Sequence, residues 1–335
     1  MRFLRPLLRS AVPVLMLALG AGARAQNHYP VSQYTPTPAV LYPGGVRNLR
    51  DVVYAEPRGF RPLTLDLYLP PRMSMPKPLV LFIHGGAWQR STARDGGSFR
   101  DFPAVLASVA AKGYVVASVN YRLSGEARFP AAVQDTGLAI QWLRTRAGTY
   151  GIDPAKVVIW GSSAGGQIAS LIGTACDAPL IQPPAEPGGR AAAPSICVQG
   201  VIDWYGVVDF EHFAEDLKPH ENRVAAATDA YLGCNGTCPD GRARAASPLA
   251  YVDAKDPPFL IQHGTEDFTV SPKQARRLYD ALRAAGVPAQ LILYPHVAHG
   301  FTKVPGGGPD DQANREALDA VLAFLRRVVG SGTIR

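Results

Sequence analysis

A serine hydroxyl is a weak nucleophile near neutral pH. It becomes a useful one when an imidazole takes its proton and a carboxylate fixes the imidazole's tautomer and steadies its cation. Ser163 is placed for this work, at the centre of Gly161-Ser162-Ser163-Ala164-Gly165, after the β-prone run Val157-Val158-Ile159-Trp160 and before a helix-compatible stretch from Ile168 to Thr174. A sharp strand-to-helix turn strains its central residue and crowds the residues two before and two after, so both must lack side chains. Gly161 and Gly165 meet that need, which makes Ser163 and not Ser162 the expected nucleophile. The first amides of the following helix, Ala164 foremost, would then face any negative charge developing beside the hydroxyl.

Seven histidines limit the choice of base. His28 lies in an N-terminal arm, His84 and His263 end predicted strands, and His212 and His220 fall in an irregular insert. His296 and His299 follow the last predicted strand, where a loop can reach back over the sheet edge. His299 is favoured because Gly300 frees its loop to turn, and His296 is the alternative. For the acid, Asp267 follows the strand Pro258 to Gln262, at the edge where parallel sheets keep their functional loops. Glu266 and Asp209 compete with it, Glu266 pointing away if the turn keeps Asp267 inward. In His84-Gly85-Gly86-Ala87-Trp88, glycines let amides approach an anionic oxygen unobstructed. Gly85 and Gly86 join Ala164 as expected oxyanion donors, each such donor being worth about 2.7 to 4 kcal/mol of barrier. Trp88 reads either as a pocket wall that touches substrate or as a core aromatic, and it is carried as the substrate-binding candidate.

Positioning these groups takes a large domain, and the chain has the means for one. Its 335 residues are 47% hydrophobic and only 18% charged, which suits a substantial buried core and excludes disorder. Arg2, Arg5 and Arg9 precede an apolar run from Ala11 to Leu19 and a small-residue site, Ala23-Arg24-Ala25. Residues 1–25 are therefore expected to be a cleaved secretory signal, and the mature protein to be secreted or periplasmic without stable membrane insertion. Removing four arginines and no acid lowers the formal charge from +7 to +3, and no basic run with interleaved aromatics remains to hold nucleic acid. Export also predicts disulfides, with local pairs Cys176–Cys197 and Cys234–Cys238 the simplest of three connectivities. A zinc site is the weak rival, because C-x3-C lacks a matching histidine pair; no metal is expected.

Residues 26–60 read as an irregular arm and an edge strand, and residues 61–330 as the main domain. The alternating stretches Asp51–Tyr54 and Leu63–Leu69 predict antiparallel edge strands. The near-continuous apolar run Lys77–Ile83 predicts a strand buried on both faces. Further on, strands at Tyr114–Asn120, Val198–Tyr205, Pro258–Gln262 and Ala289–Tyr294 alternate with helices at Asp101–Lys112, Pro130–Arg146, Ser271–Ala285 and Asp311–Val329. That alternation predicts an α/β fold, a mostly parallel sheet with helices on both faces. The least regular insert, about 210–247, predicts a small cap.

Several motifs together resemble a known family: His84-Gly-Gly-Ala-Trp88, Asn120-Tyr-Arg-Leu123 followed by Phe129-Pro130, Tyr150-Gly-Ile-Asp-Pro154, Trp160-Gly-Ser-Ser-Ala-Gly-Gly166, His263-Gly264 with Asp267, and His299-Gly-Phe301. The chain is similar to secreted α/β-hydrolase carboxylesterases, in particular the bifunctional feruloyl and acetylxylan esterases, which are kin to hormone-sensitive-lipase-like esterases. The resemblance runs from about Pro62 to the C-terminus. It implies a Ser163-Asp267-His299 triad, no cofactor, short acyl or hydroxycinnamoyl ester substrates, small or polymer-borne, and a structural Arg122–Asp135 ion pair. A peptidase or amidase of this fold would share every motif, a lipase would need a larger apolar lid, and a non-catalytic binding protein usually lacks a triad member.

Overall fold

Lys77–Ile83 is buried at all seven positions, as a central parallel strand must be. In the computed structural model, which describes residues 38–71, 74–184, 193–216, 222–236, 238, 241–305 and 307–330, this strand is β4. It belongs to a nine-stranded sheet with β1 (Val40–Tyr42), β2 (Val46–Ala55), β3 (Leu63–Leu69), β5 (Val115–Val119), β6 (Ile152–Ser162), β7 (Gly200–Trp204), β8 (Phe259–Gly264) and β9 (Ala289–Tyr294). The order is β1-β2-β3-β5-β4-β6-β7-β8-β9. The first three strands pair antiparallel, and everything from β5 to β9 is parallel.

Alternate residues of each central strand feed two separate cores. Leu79, Leu81 and Ile83 face α2 (Ala131–Thr145), α4 (Ala164–Ala175) and α8 (Pro272–Ala284). Val80 and Phe82 face α1 (Phe102–Ala110) and α9 (Asp311–Val329). A short α3 (Ala147–Tyr150) closes the turn into β6. Because β5 lies on one side of β4 and β6 on the other, the chain switches direction across the sheet at β4. Ligands of open α/β sheets bind where the strand order reverses, beyond the carboxyl ends. Here that crevice lies beyond Ile83 and Ser162.

Two sequence expectations change. The arm expected to be irregular up to Pro43 ends in β1, which pairs with β2 and takes the edge. Leu63–Leu69 is accordingly an inner strand, held between β2 and β5. Strand β2 also begins before Asp51, because a bulge between Leu49 and Val52, with Asp51 at φ 54°, interrupts its alternation. The expected leader, residues 1–25, and the arm to residue 37 lie outside the described residues.

Among its described residues, the insert between β7 and β8 forms the short helices α5 (Phe213–Asp216), α6 (Asn222–Leu232) and α7 (Arg242–Ala246). Gln167 of α4 fastens it: its Nε2 donates to the Ala246 carbonyl at 3.0 Å, and its Oε1 accepts from Tyr231 Oη and Trp88 Nε1, each at 3.1 Å. Asp216 anchors the insert to α8 through Arg277 and Gln274. Disulfides join Cys176 to Cys197 and Cys234 to Cys238, the two local pairs read from spacing. The Arg122–Asp135 pair implied by the resemblance is present at 2.7 Å with Asp135 fully buried. No helix of the described residues is long and apolar enough to cross a membrane.

Candidate active site

Strand β6 hands directly to α4 through Ser163, which sits at φ 54°, ψ −117°, a conformation costly for a non-glycine residue. Its neighbours force the turn. A Cβ on Gly161 would lie 2.0 Å from the Gly165 carbonyl oxygen, and one on Gly165 would lie 2.1 Å from that of Ile83, so neither position accepts a side chain. The Ser163 amide donates to the Trp204 carbonyl at 2.8 Å, tying the bend to β7.

The loop after β9 returns His299 to this bend. Its Nε2 lies 3.0 Å from Ser163 Oγ and its Nδ1 lies 2.7 Å from Asp267 Oδ2. Three segments separated by up to 136 residues thus meet in one line of hydrogen bonds. Asp267 is 2% exposed, and its Oδ1 accepts from the amides of Thr269 and Val270, each at 2.9 Å. Burial alone would raise this carboxyl. The charge of His299 and hydrogen bonds from His263 and His299 outweigh it and hold Asp267 well below the usual carboxylate range.

The turn after β4 packs against the elbow from the other side. A Cβ on Gly85 would come within 2.9 Å of the Ser162 carbonyl, and one on Gly86, at φ 99°, within 2.2 Å of the Arg90 carbonyl. The Gly86 carbonyl accepts from Gln89 and Arg90 and closes the turn. His84 is buried against Tyr121, rings 4.3 Å apart, and its Nδ1 donates to the Gly85 carbonyl. Burial pushes that imidazole down to about 4, so it stays neutral and pins the loop. Among the described residues the amides of Gly86 and Ala164 have no protein acceptor. Gly85, Gly86, Ser163 and His299 border an open cleft of about 330 Å³, with Ser91, Ser98, Thr269 and Thr302 among its polar walls.

Trp88 needs a correction. It is 2% exposed, stacks on Tyr231 at 4.4 Å beneath the insert, and does not line the cleft. Positive φ at Ala87 and Trp88 turns the indole inward, which makes it the core aromatic of the two readings. The competing groups sit elsewhere. His296 pairs with Glu266 at 2.7 Å on the exposed side of the loops, and Asp209 meets His212 at 2.8 Å. Sequence reasoning gave no role to Gln167, and it named His263 only within the His263-Gly264 motif beside Asp267, without the 3.1 Å approach of its Nε2 to Asp267 Oδ2. The signal for His263 was its four-residue spacing from Asp267, read as a strand end and as part of the family motif, with no role assigned.

A Ser-His-Asp line on a strand–elbow–helix unit, at the switch point of a mostly parallel sheet with helices on both faces, defines the α/β-hydrolase class. Within it, the chain belongs to the BD-FAE family, which matches residues 65–282. It is similar to esterase LipQ of Mycobacterium tuberculosis, 31% identical over 277 residues that cover 81% of this chain and 61% of the relative. The chain spans about three fifths of the length of esterase LipQ and of two further curated esterase relatives that it matches. Among solved structures it is similar to a truncated carbohydrate esterase from gut microbiota, with TM-score 0.66, 25% identity, and 88% and 99% of the two chains covered. A propionate-bound esterase, Est2 of Thermogutta terrifontis, superposes with TM-score 0.66 at 26% identity over 84% and 95% of the chains.

Proposed function

We propose that this chain is a serine carboxylic ester hydrolase acting on short acyl or hydroxycinnamoyl esters, small or carried on polysaccharide. The carrying observation is the unbroken line from Ser163 through His299 to Asp267. Ser163 Oγ attacks the ester carbonyl as His299 Nε2 takes its proton. The amides of Gly85, Gly86 and Ala164 receive the oxyanion, and His299 returns the proton to the departing alkoxide. Water then repeats the sequence on the acyl-enzyme. Asp267 remains ionised throughout, so it can hold the imidazole in the Nδ1–H tautomer and stabilise its cation.

Named esterases among the relatives support the reaction class, and the open cleft, with Ser91, Ser98, Thr269 and Thr302 on its walls, supports a short acyl group on a hydroxyl-bearing alcohol. The propionate of the Thermogutta esterase and the carbohydrate esterase point the same way. Two disulfides support residence in an oxidising compartment, secreted or periplasmic. The test is a panel of p-nitrophenyl acyl esters, hydroxycinnamate esters and a peptide anilide, run on wild type and Ser163→Ala. Acetate to butyrate esters should turn over best, the anilide hardly at all, and the variant should be inert while keeping its melting transition. Undiminished hydrolysis by the purified variant would overturn the reading.

A further inference from the structure

Asp267 carries more donors than a three-membered relay requires. Its Oδ1 takes two backbone amides, its Oδ2 takes His299 at 2.7 Å, and the same Oδ2 lies 3.1 Å from His263 Nε2. His263 is the penultimate residue of β8 and is wholly buried. Its Nε2 lies between two acceptors, Asp267 Oδ2 and the Val270 carbonyl at 2.8 Å, while its Nδ1 is buried with no partner. That arrangement assigns the proton to Nε2. It also closes a ring, because the Val270 amide donates to Asp267 while the Val270 carbonyl accepts from His263.

We propose that His263 is a positioning residue for the relay, donating from Nε2 to Asp267 so that the carboxylate is held in place and its negative charge is shared between two imidazoles. An undivided carboxylate would attract the Nδ1 proton of His299 more strongly and make that imidazole harder to deprotonate. His263 therefore draws off part of the negative charge that faces His299 Nδ1. The other ionisable groups around this cluster are Asp203 on β7, Tyr205 just after it, and the exposed Glu266–His296 pair. Burial pushes Asp203 up to about 6, opposed in part by the Gly206 amide. Tyr205 packs edge-on to both imidazoles, 6.4 Å from His263 and 4.8 Å from His299.

The kinetic arm of the test rests on the ester-hydrolase reading, and the spectroscopic arm does not. Nitrogen-15 NMR of histidine-labelled wild-type protein should show His263 as the Nε2–H tautomer; finding the proton on Nδ1 would overturn the proposal whether or not the chain hydrolyses esters. In the kinetic arm, His263→Phe removes the donor at similar volume, and His263→Gln restores an N–H at the ε position. With p-nitrophenyl acetate, the Phe variant should lose about tenfold in kcat, as for one charged hydrogen bond. Its acid limb of kcat/KM should also move up by about half to one pH unit. The Gln variant should stay within about twofold of wild type with the limb unmoved. Asp203→Asn run alongside should leave the shift intact. A Phe variant slowed equally at every pH, or a Gln variant no better than Phe, would reduce His263 to a packing residue. If the Phe variant does not fold, the tautomer measurement decides.

Discussion

The loops after β8 and β9 carry two imidazole–carboxylate pairs of equal length, and among the described residues one of them continues to a serine hydroxyl. His299–Asp267 and His296–Glu266 each close at 2.7 Å. The Asp267 side chain is fully buried and that of His299 is 23% exposed, whereas His296 is 84% and Glu266 34% exposed. The inner pair is backed by two amides and a second histidine and reaches a serine; the outer pair is tied through its own backbone amides, His296 to the Thr265 hydroxyl and Glu266 to the Val297 carbonyl. Water screens the outer pair, and side-chain entropy opposes it, so it is worth little. A short imidazole–carboxylate distance thus says nothing about chemistry until burial and a third partner are added.

Substitutions in parallel sharpen that contrast. His299→Ala should cost about 10⁵-fold or more in kcat against p-nitrophenyl acetate, while His296→Ala stays within twofold of wild type, roughly the range for an unlinked surface group. Asp267→Asn should cost about 10⁴-fold by imposing the wrong imidazole tautomer, against no measurable change for Glu266→Gln. Equal losses in the two members of either comparison would erase the distinction. Gly86→Ala, where the new methyl would meet the Arg90 carbonyl, should cost about 10²- to 10³-fold in kcat with circular dichroism unchanged.

Stability responds to pH where the carboxylate is buried. Burial, opposed in part by the Gly206 amide, raises Asp203 from 3.8 to about 6. Its contribution to stability is full below pH 3.8 and is lost as pH rises through 6. Asp203→Asn keeps an acceptor for Gly206 and should gain on wild type by up to about 3 kcal/mol between pH 4 and 7, read from urea midpoints at each pH. The exposed pair gives the smallest effect, His296→Ala changing stability by less than about 1 kcal/mol and less still at high salt.

Much of this was legible because it rests on steric rules local to a few residues. The elbow is announced by Val157–Trp160 and by glycines that no other residue could replace, and α8 by Ser271 capping ahead of Pro272. Strand β1 carried no alternation to read, and the bulge at Asp51 hid the first half of β2. Which of His296 and His299, or of Glu266 and Asp267, turns inward depends on how two loops cross after folding. Trp88 was undecidable for the same reason, its direction being set by two positive φ values and by Tyr231, far along the chain. His263 stayed hidden because a strand-end histidine acquires its meaning only when the following turn brings Asp267 back over it.

The most direct test of the central claim is covalent labelling with paraoxon followed by peptide mass mapping. A Ser163 activated by His299 should take one diethylphosphoryl group, on Ser163 and not Ser162, with ester turnover lost in proportion, and His299→Ala should label far more slowly. Labelling at Ser162 or elsewhere, or labelling of Ser163 at an undiminished rate without His299, would contradict the account.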